Sequence, residues 1–241
     1  MTGLLVGLLV GACMGFFGAG AGSITIPLAV FFMHMPYRAA GIAGLVVVLA
    51  SGLATSINGS RKHLVVYRTA LPFLILSTPA ALIAAHLSKN ISNRTSALLL
   101  AGLLVSASVV FWRRHQEVEA KHDIVRGSIG AIAAGTTAGV LGVGAGFVAV
   151  PSLRLASGLP IAKAVATSSL MLWINALAAL IVRRSEINWT HSLGLLALAS
   201  VGGAIVAGNF SHRVPSKLRH RGLSLLLLGF AVVTVFDVLV A

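Results

Sequence analysis

A glycine-rich motif occurs twice inside long apolar stretches, and it constrains this chain more than any other feature. GFFGAGAGSITIP runs from Gly15 to Pro27 and GVLGVGAGFVAVP from Gly139 to Pro151, an offset of 124 residues. At that offset Gly15, Gly18, Gly20, Ala21, Gly22 and Pro27 fall on Gly139, Gly142, Gly144, Ala145, Gly146 and Pro151, and Pro36 falls on Pro160. Glycine frees the backbone from helical geometry. Unwound backbone at membrane depth is tolerated only where it is buried in protein or lines a cavity. Matched interruptions in two halves of an apolar chain point to a transporter's binding site.

The membrane setting follows from composition. Hydrophobic residues are 57% of the chain and charged residues 10%, with a mean hydropathy of +0.97; soluble domains carry about 25% charge. Apolar runs cover roughly 3–33, 39–57, 64–87, 95–112, 127–153, 161–182, 190–210 and 222–241. Each is near or above the ~18–20 residues of a spanning helix. The net charge of +13 comes from Lys and Arg between the runs, where they meet headgroups and set orientation. No basic stripe alternates with aromatics, so nucleic acid is not expected as a partner. The first run lacks a basic n-region and continues past any cleavage site, unlike a signal peptide. Cys13 stands alone, so no disulfide, metal cluster or other cofactor is expected.

The duplication extends beyond the motif. Ser51 matches Asn175 at offset 124, and near offset 123 Ser77 matches Ser200, His86 matches Asn209 and Arg94 matches Lys217. The expected organisation is a first repeat over 1–116, a mixed-charge linker over 117–126 and a second repeat over 127–241, within one membrane domain. The first segment of each repeat exceeds one crossing of the ~30 Å hydrocarbon core, so it either tilts steeply or folds back. If all eight segments cross, Lys and Arg divide evenly between the two sides. If the glycine-rich segments re-enter, one side holds only Arg38, Lys89, Arg94, Arg183 and Arg184 of the 18 basic residues. The positive-inside rule favours the second arrangement. The expected fold is therefore an all-α polytopic membrane protein of two four-segment inverted repeats. Each repeat opens on a Gly-broken, re-entrant helix; eight-span parallel repeats are the alternative.

The expected site follows from these breaks. Gly18, Gly20 and Gly22, with Gly142, Gly144 and Gly146, would expose helix N-termini, whose unpaired N–H groups and positive dipole ends suit an anion. Ser23 adds a hydroxyl. The competing explanation is close helix packing through small residues. On the second segment of the first repeat, Gly44, Ser51, Thr55 and Asn58 form a helical stripe. Ala164, Ser168, Asn175 and Ala178 do the same in the second, with Thr167 and Ser169 beside them. These neutral groups could line a solute path or simply bond neighbouring helices. The motif is not a dinucleotide or phosphate loop, since no strand precedes it and no Lys-Ser/Thr follows. No GxSxG accompanies Ser23, so no enzyme is expected. Only Glu117, Glu119, Asp123, Glu186 and Asp237 are acidic, and none falls mid-segment. Cation sites and proton relays usually need such a carboxylate, so an anionic solute is favoured.

The duplicated G-x-x-G-x-G-[GA]-G-x4-P, followed by A-x-x-T-S, resembles the sulfite exporter TauE/SafE family of membrane permeases over nearly the whole chain. The second repeat carries it best, with Gly139 to Pro151, Pro160, and Ala164-Val165-Ala166-Thr167-Ser168. The first departs from it, having Ala43-Gly44 where Thr-Ser would fall, which implies an asymmetric site. The resemblance implies a permease in the bacterial cytoplasmic membrane that moves a small anion, a sulfur oxyanion or organosulfonate, by alternating access. An anion-selective channel and a non-transporting scaffold are the rivals. Expected partners are the solute and the bilayer, with the sequence silent on a homo-oligomer.

Overall fold

The computed structural model describes residues 2–17, 21–113, 123–143, 146–187, 190–210 and 216–240. Among these there are only helices and short turns. In chain order they are α1 (Thr2–Phe17), α2 (Thr25–Met33), α3 (Tyr37–Arg61), α4 (Tyr67–Ser88), α5 (Asn93–Arg113), α6 (Ile124–Leu141), α7 (Gly146–Ser157), α8 (Ile161–Val182), α9 (His191–Phe210) and α10 (Ser216–Val240). A 3-10 turn, Ala21–Ile24, leads into α2, and another, Arg184–Glu186, follows α8. Among the described residues, α3, α4, α6 and α8 are long and apolar enough to cross a membrane. The protein is a multi-pass membrane protein.

Small residues decide which helices touch. Gly3, Gly7 and Gly11 recur every four residues and so line one face of α1. A Cβ on any of them would strike the backbone of Ser192, Leu196 or Ser200 of α9. On α6, Gly135 and Gly139 sit equally close to the backbone of Ser77 and Ala81 of α4. Lipid supplies no hydrophobic drive between helices, so close backbone approach and its dispersion contacts hold such pairs. The outward faces are apolar as well: α4 exposes Leu71, Ile75, Ile83 and Leu87, as a lipid-facing helix must.

Chain direction can be read from the same contacts. Asp123 N–H donates to the Leu155 carbonyl at 3.0 Å. A Cβ on Gly127 would meet Ala156, and one on Gly130 would meet Ser152. The end of α7 thus lies beside the start of α6, and the two helices run antiparallel. In the first half Phe32, near the end of α2, shares a cavity with Thr2, Leu5 and Leu9 of α1. Helices α3 and α8 also run antiparallel, Gly52 lying against Trp173 and Gly59 against Ala166. Tyr37, at the start of α3, donates its hydroxyl to Asp237 Oδ2 near the end of α10 at 2.8 Å.

Proline sets the starts of the two central helices. Pro36 precedes α3 at φ −61°, ψ 148°, and Pro160 precedes α8 at φ −54°, ψ 148°. Proline at a helix start loses no intrahelical hydrogen bond and has its φ fixed in advance. The core joins most elements in one apolar cluster: Val10, Ile24, Ile26, Val47, Leu104, Leu141, Val143, Phe147, Leu196 and Leu227.

Candidate functional site

Residues flanking the two glycine-rich segments meet in this cluster. Ile24 and Ile26 follow the first; Leu141, Val143 and Phe147 flank the second. The 3-10 turn at Ala21–Ile24 touches both α3 and α7. Gly18, Gly20 and Gly144 lie outside the described residues. Their neighbours show what the sequence does there. Ile24 is itself helical, at φ −76°, ψ −21°, so the 3-10 turn runs unbroken into α2. The helical N-terminus is thus the 3-10 turn containing Gly22. On the other side Gly142 ends α6 in the left-handed region at φ 74°, and Gly146 opens α7. A Cβ on Gly142 would collide with the backbone of Gly41. Glycine at 142 therefore serves both a left-handed cap and a close approach.

At the start of α2, Ser23 and Thr25 are fully buried. Thr25 Oγ1 has no hydrogen-bond partner. A buried hydroxyl without a partner carries a desolvation cost, so it marks a place where a donor awaits an acceptor. The sequence analysis took Ser23 and passed over Thr25, two residues on, on the same helical turn.

The hydroxyls of α3 and α8 are mostly committed locally. Ser51 donates to the Val47 carbonyl at 2.6 Å and lies 3.2 Å from the Met14 sulfur. Thr55 is only partly buried and donates to the Ser51 carbonyl at 2.8 Å, and Asn58 is exposed. Ser168 and Ser169 both donate to the Val165 carbonyl at 2.9 Å. An anion needs donors, and these hydroxyl protons already point at their own helices. Thr167 and Asn175 do otherwise. Thr167 Oγ1 accepts from the Val66 N–H at 3.0 Å, tying α8 to the segment before α4. Asn175 Oδ1 accepts from Ser77 at 3.3 Å and from Thr78 at 3.0 Å. With its oxygen occupied, Asn175 presents its amide nitrogen as the donor end.

A charged cluster borders the second break. Arg183, one residue past α8, is 2% exposed. Its Nη2 donates to Glu186 Oε2 at 3.1 Å, and Arg38 Nη2 donates to the same oxygen at 3.0 Å. Arg38 also donates to the Lys89 carbonyl at 2.6 Å, at the end of α4. Burial pushes the Glu186 carboxyl up, but Arg183 and then Arg38 outweigh that and hold it below the usual carboxylate range. The arginines line a narrow cleft of about 10 Å3, room for about one water, with Gly41, Ser88, Ser96 and Leu141. The sequence sets Arg183 and Glu186 between the apolar runs; both do lie in the turn after α8, with the Arg183 side chain buried there. The available signal was scarcity: Glu186 is the only acidic residue between Asp123 and Asp237, and it follows an Arg pair at the edge of an apolar helix.

The sequence that folds into this all-helical core can be compared with known proteins. Residues 3–234 match the family described as sulfite exporter TauE/SafE. The chain belongs to the sulfite exporter TauE/SafE family. A Bacillus subtilis (strain 168) relative, named "Probable membrane transporter protein YunE", is 25% identical over 85% of this chain and 86% of its own length. A "Probable membrane transporter protein" of Xylella fastidiosa (strain 9a5c) is 25% identical over 95% of this chain and 92% of its own. As a member of the TauE/SafE family the chain is a membrane transporter.

Proposed function

We propose that this transporter moves a small anion, a sulfur oxyanion or an organosulfonate, by alternating access across the bacterial cytoplasmic membrane. The family's name points to sulfite, a small sulfur oxyanion. The observation that carries the reading is the meeting of the two breaks: the helical N-terminus before α2 and the start of α7 both arise inside the apolar core. Their first-turn N–H groups and positive dipole ends offer an anion site in low dielectric. Thr25 adds a hydroxyl without a partner, and Ser23, Gly142 and Gly146 frame the same region.

The topology assigned to this function is two inverted repeats, 1–116 and 127–241, each with a re-entrant hairpin (α1/α2, α6/α7) and three spans. The antiparallel runs of α6 with α7 and α3 with α8 support it, as does the Tyr37–Asp237 hydrogen bond; eight parallel-repeat spans would set α3 parallel to α8. In this arrangement Arg38, Lys89, Arg94, Arg183 and Arg184 face outward and the other thirteen of the 18 basic residues face the cytoplasm, as the positive-inside rule requires.

The test uses proteoliposomes and sulfite. The wild type is expected to show saturable uptake, accelerated by sulfite preloaded inside. Thr25→Val keeps the shape and removes the hydroxyl. It should leave thermal stability equal or higher and weaken apparent affinity by about two- to tenfold, one neutral hydrogen bond. Flux that neither saturates nor responds to preloading would make the protein a channel. Unchanged affinity in Thr25→Val would move the site away from α2.

A further inference from the structure

The Arg38–Glu186–Arg183 cluster is paired in an incomplete way. An arginine and a carboxylate pair best as a fork, with two parallel N–H···O bonds. Here both guanidinium groups converge on one oxygen, Glu186 Oε2. The other oxygen, Oε1, is buried without a hydrogen-bond partner, and so is Arg183 Nε. Two cations share one anion, leaving a charge of +1 around a nearly inaccessible arginine. Such a charge is costly to bury unless it is fully paired. The cleft beside these arginines reaches Leu141, next to the left-handed Gly142 that ends α6, and Arg183 Nη1 lies 4.0 Å from where a Gly41 Cβ would be. Arg38 is about one third exposed, at 34%, and Arg183 is not, at 2%. The narrow cleft thus lies between the partly exposed Arg38 and Leu141, which precedes Gly142.

We propose that Arg38 and Arg183 form an access site for a small oxyanion on the face that carries the start of α3, with Glu186 as the internal anion that the incoming ligand displaces. The proposal rests on the permease reading and adds a second position on the path. In the resting state Glu186 occupies the arginines through one oxygen. An arriving oxyanion takes the Arg183 Nε–H and Nη–H as a fork, which Glu186 does not do, and the carboxylate swings toward the surface through its turn at Arg184–Glu186. The site then passes the anion toward Gly142. Glu186 also excludes weakly binding anions, because each must compete with a tethered carboxylate. No bond is made or broken; only partners exchange.

Purified protein in chloride-free gluconate buffer, with sulfite as the probe and chloride as the comparison, tests this. Glu186→Gln removes the competitor and leaves two arginines facing an empty position. Sulfite affinity should rise about tenfold, one charge-assisted hydrogen bond returned to the ligand. The sulfite-induced rise in melting temperature should exceed that of the wild type, with chloride giving less. Arg38→Gln, at the exposed end, should keep the fold and weaken sulfite binding by about tenfold. A clamp that only holds the fold gives another result: Glu186→Gln melts lower and sulfite does not restore it beyond the wild-type shift. That outcome overturns the proposal, as does unchanged affinity in Arg38→Gln should Glu186→Gln fail to fold. If the wild type carries sulfite and both variants bind it as the wild type does, the access site falls and the permease stands. If Glu186→Gln binds sulfite tightly but the wild type moves none, the site stands and the permease reading falls.

Discussion

Thr167 and Ser168 are neighbours on α8 and illustrate how much a hydroxyl's partner matters. Ser168 returns its proton to the Val165 carbonyl within its own helix, whereas Thr167 Oγ1 accepts the Val66 N–H from another segment. Removing the first changes little outside α8. Removing the second strands a backbone donor, at a cost of about 1–3 kcal/mol. Thr167→Val should therefore lower the melting temperature in detergent clearly, while Ser168→Ala shifts it little and leaves sulfite affinity within about twofold. A large affinity loss in Ser168→Ala would return that hydroxyl to the solute path. The sequence could place both residues on a buried face, because helical spacing reveals which way a position faces. It could not reveal the direction of a proton, which depends on the carbonyls in reach. For the same reason it passed over Thr25 and did not foresee the burial of Arg183: the first side chain past an apolar helix folds inward or outward according to neighbours that lie far away in sequence.

At the scale of elements, the proposed function depends on two hairpins, α1/α2 and α6/α7. Small residues on α1 and α6 let these helices approach other backbones closely. The returning direction has a direct test. With Cys13 replaced by serine, single cysteines at Arg38 and Arg154 should be labelled from opposite sides of the membrane, residue 38 from outside and residue 154 from inside. Labelling of both from one side would remove the hairpins and restore eight crossings. The returning direction belongs to the proposal; the all-helical, apolar make-up was legible in advance, since it rests on composition and on the length of the apolar runs. The partner of each hairpin was not. That α1 packs on α9 and α6 on α4 depends on matching small-residue faces at large sequence separation, and many glycine stripes in this chain could have matched. The glycine stripe on α1 serves close packing, a task separate from the break expected of the glycine-rich motif after it.

For the whole molecule, these pairings join the two halves of the chain. Helix α1 packs on α9, α6 on α4, α3 on α8 and α5 on α10. Ser108 and Ser224 bond across the last of these pairs, at 3.0 Å between hydroxyls. Residues 1–116 expressed alone should be degraded, because their close-packed faces have no partner. Coexpression with residues 117–241 should restore a complex that purifies through a tag on either piece. A stable first piece on its own would show that these faces are satisfied without the second. The duplication told of two similar units but not of their interleaving, since a repeat in sequence says nothing about which copy a helix leans on. This has a consequence for motion. Helices that touch backbone to backbone cannot separate without opening a void in the bilayer, so α1 and α9 must travel together, as must α4 and α6. Under the proposed alternating access, the moving bodies would then each mix helices of both halves of the chain, α1 with α9 and α4 with α6, with the left-handed Gly142 after α6 as a joint between them.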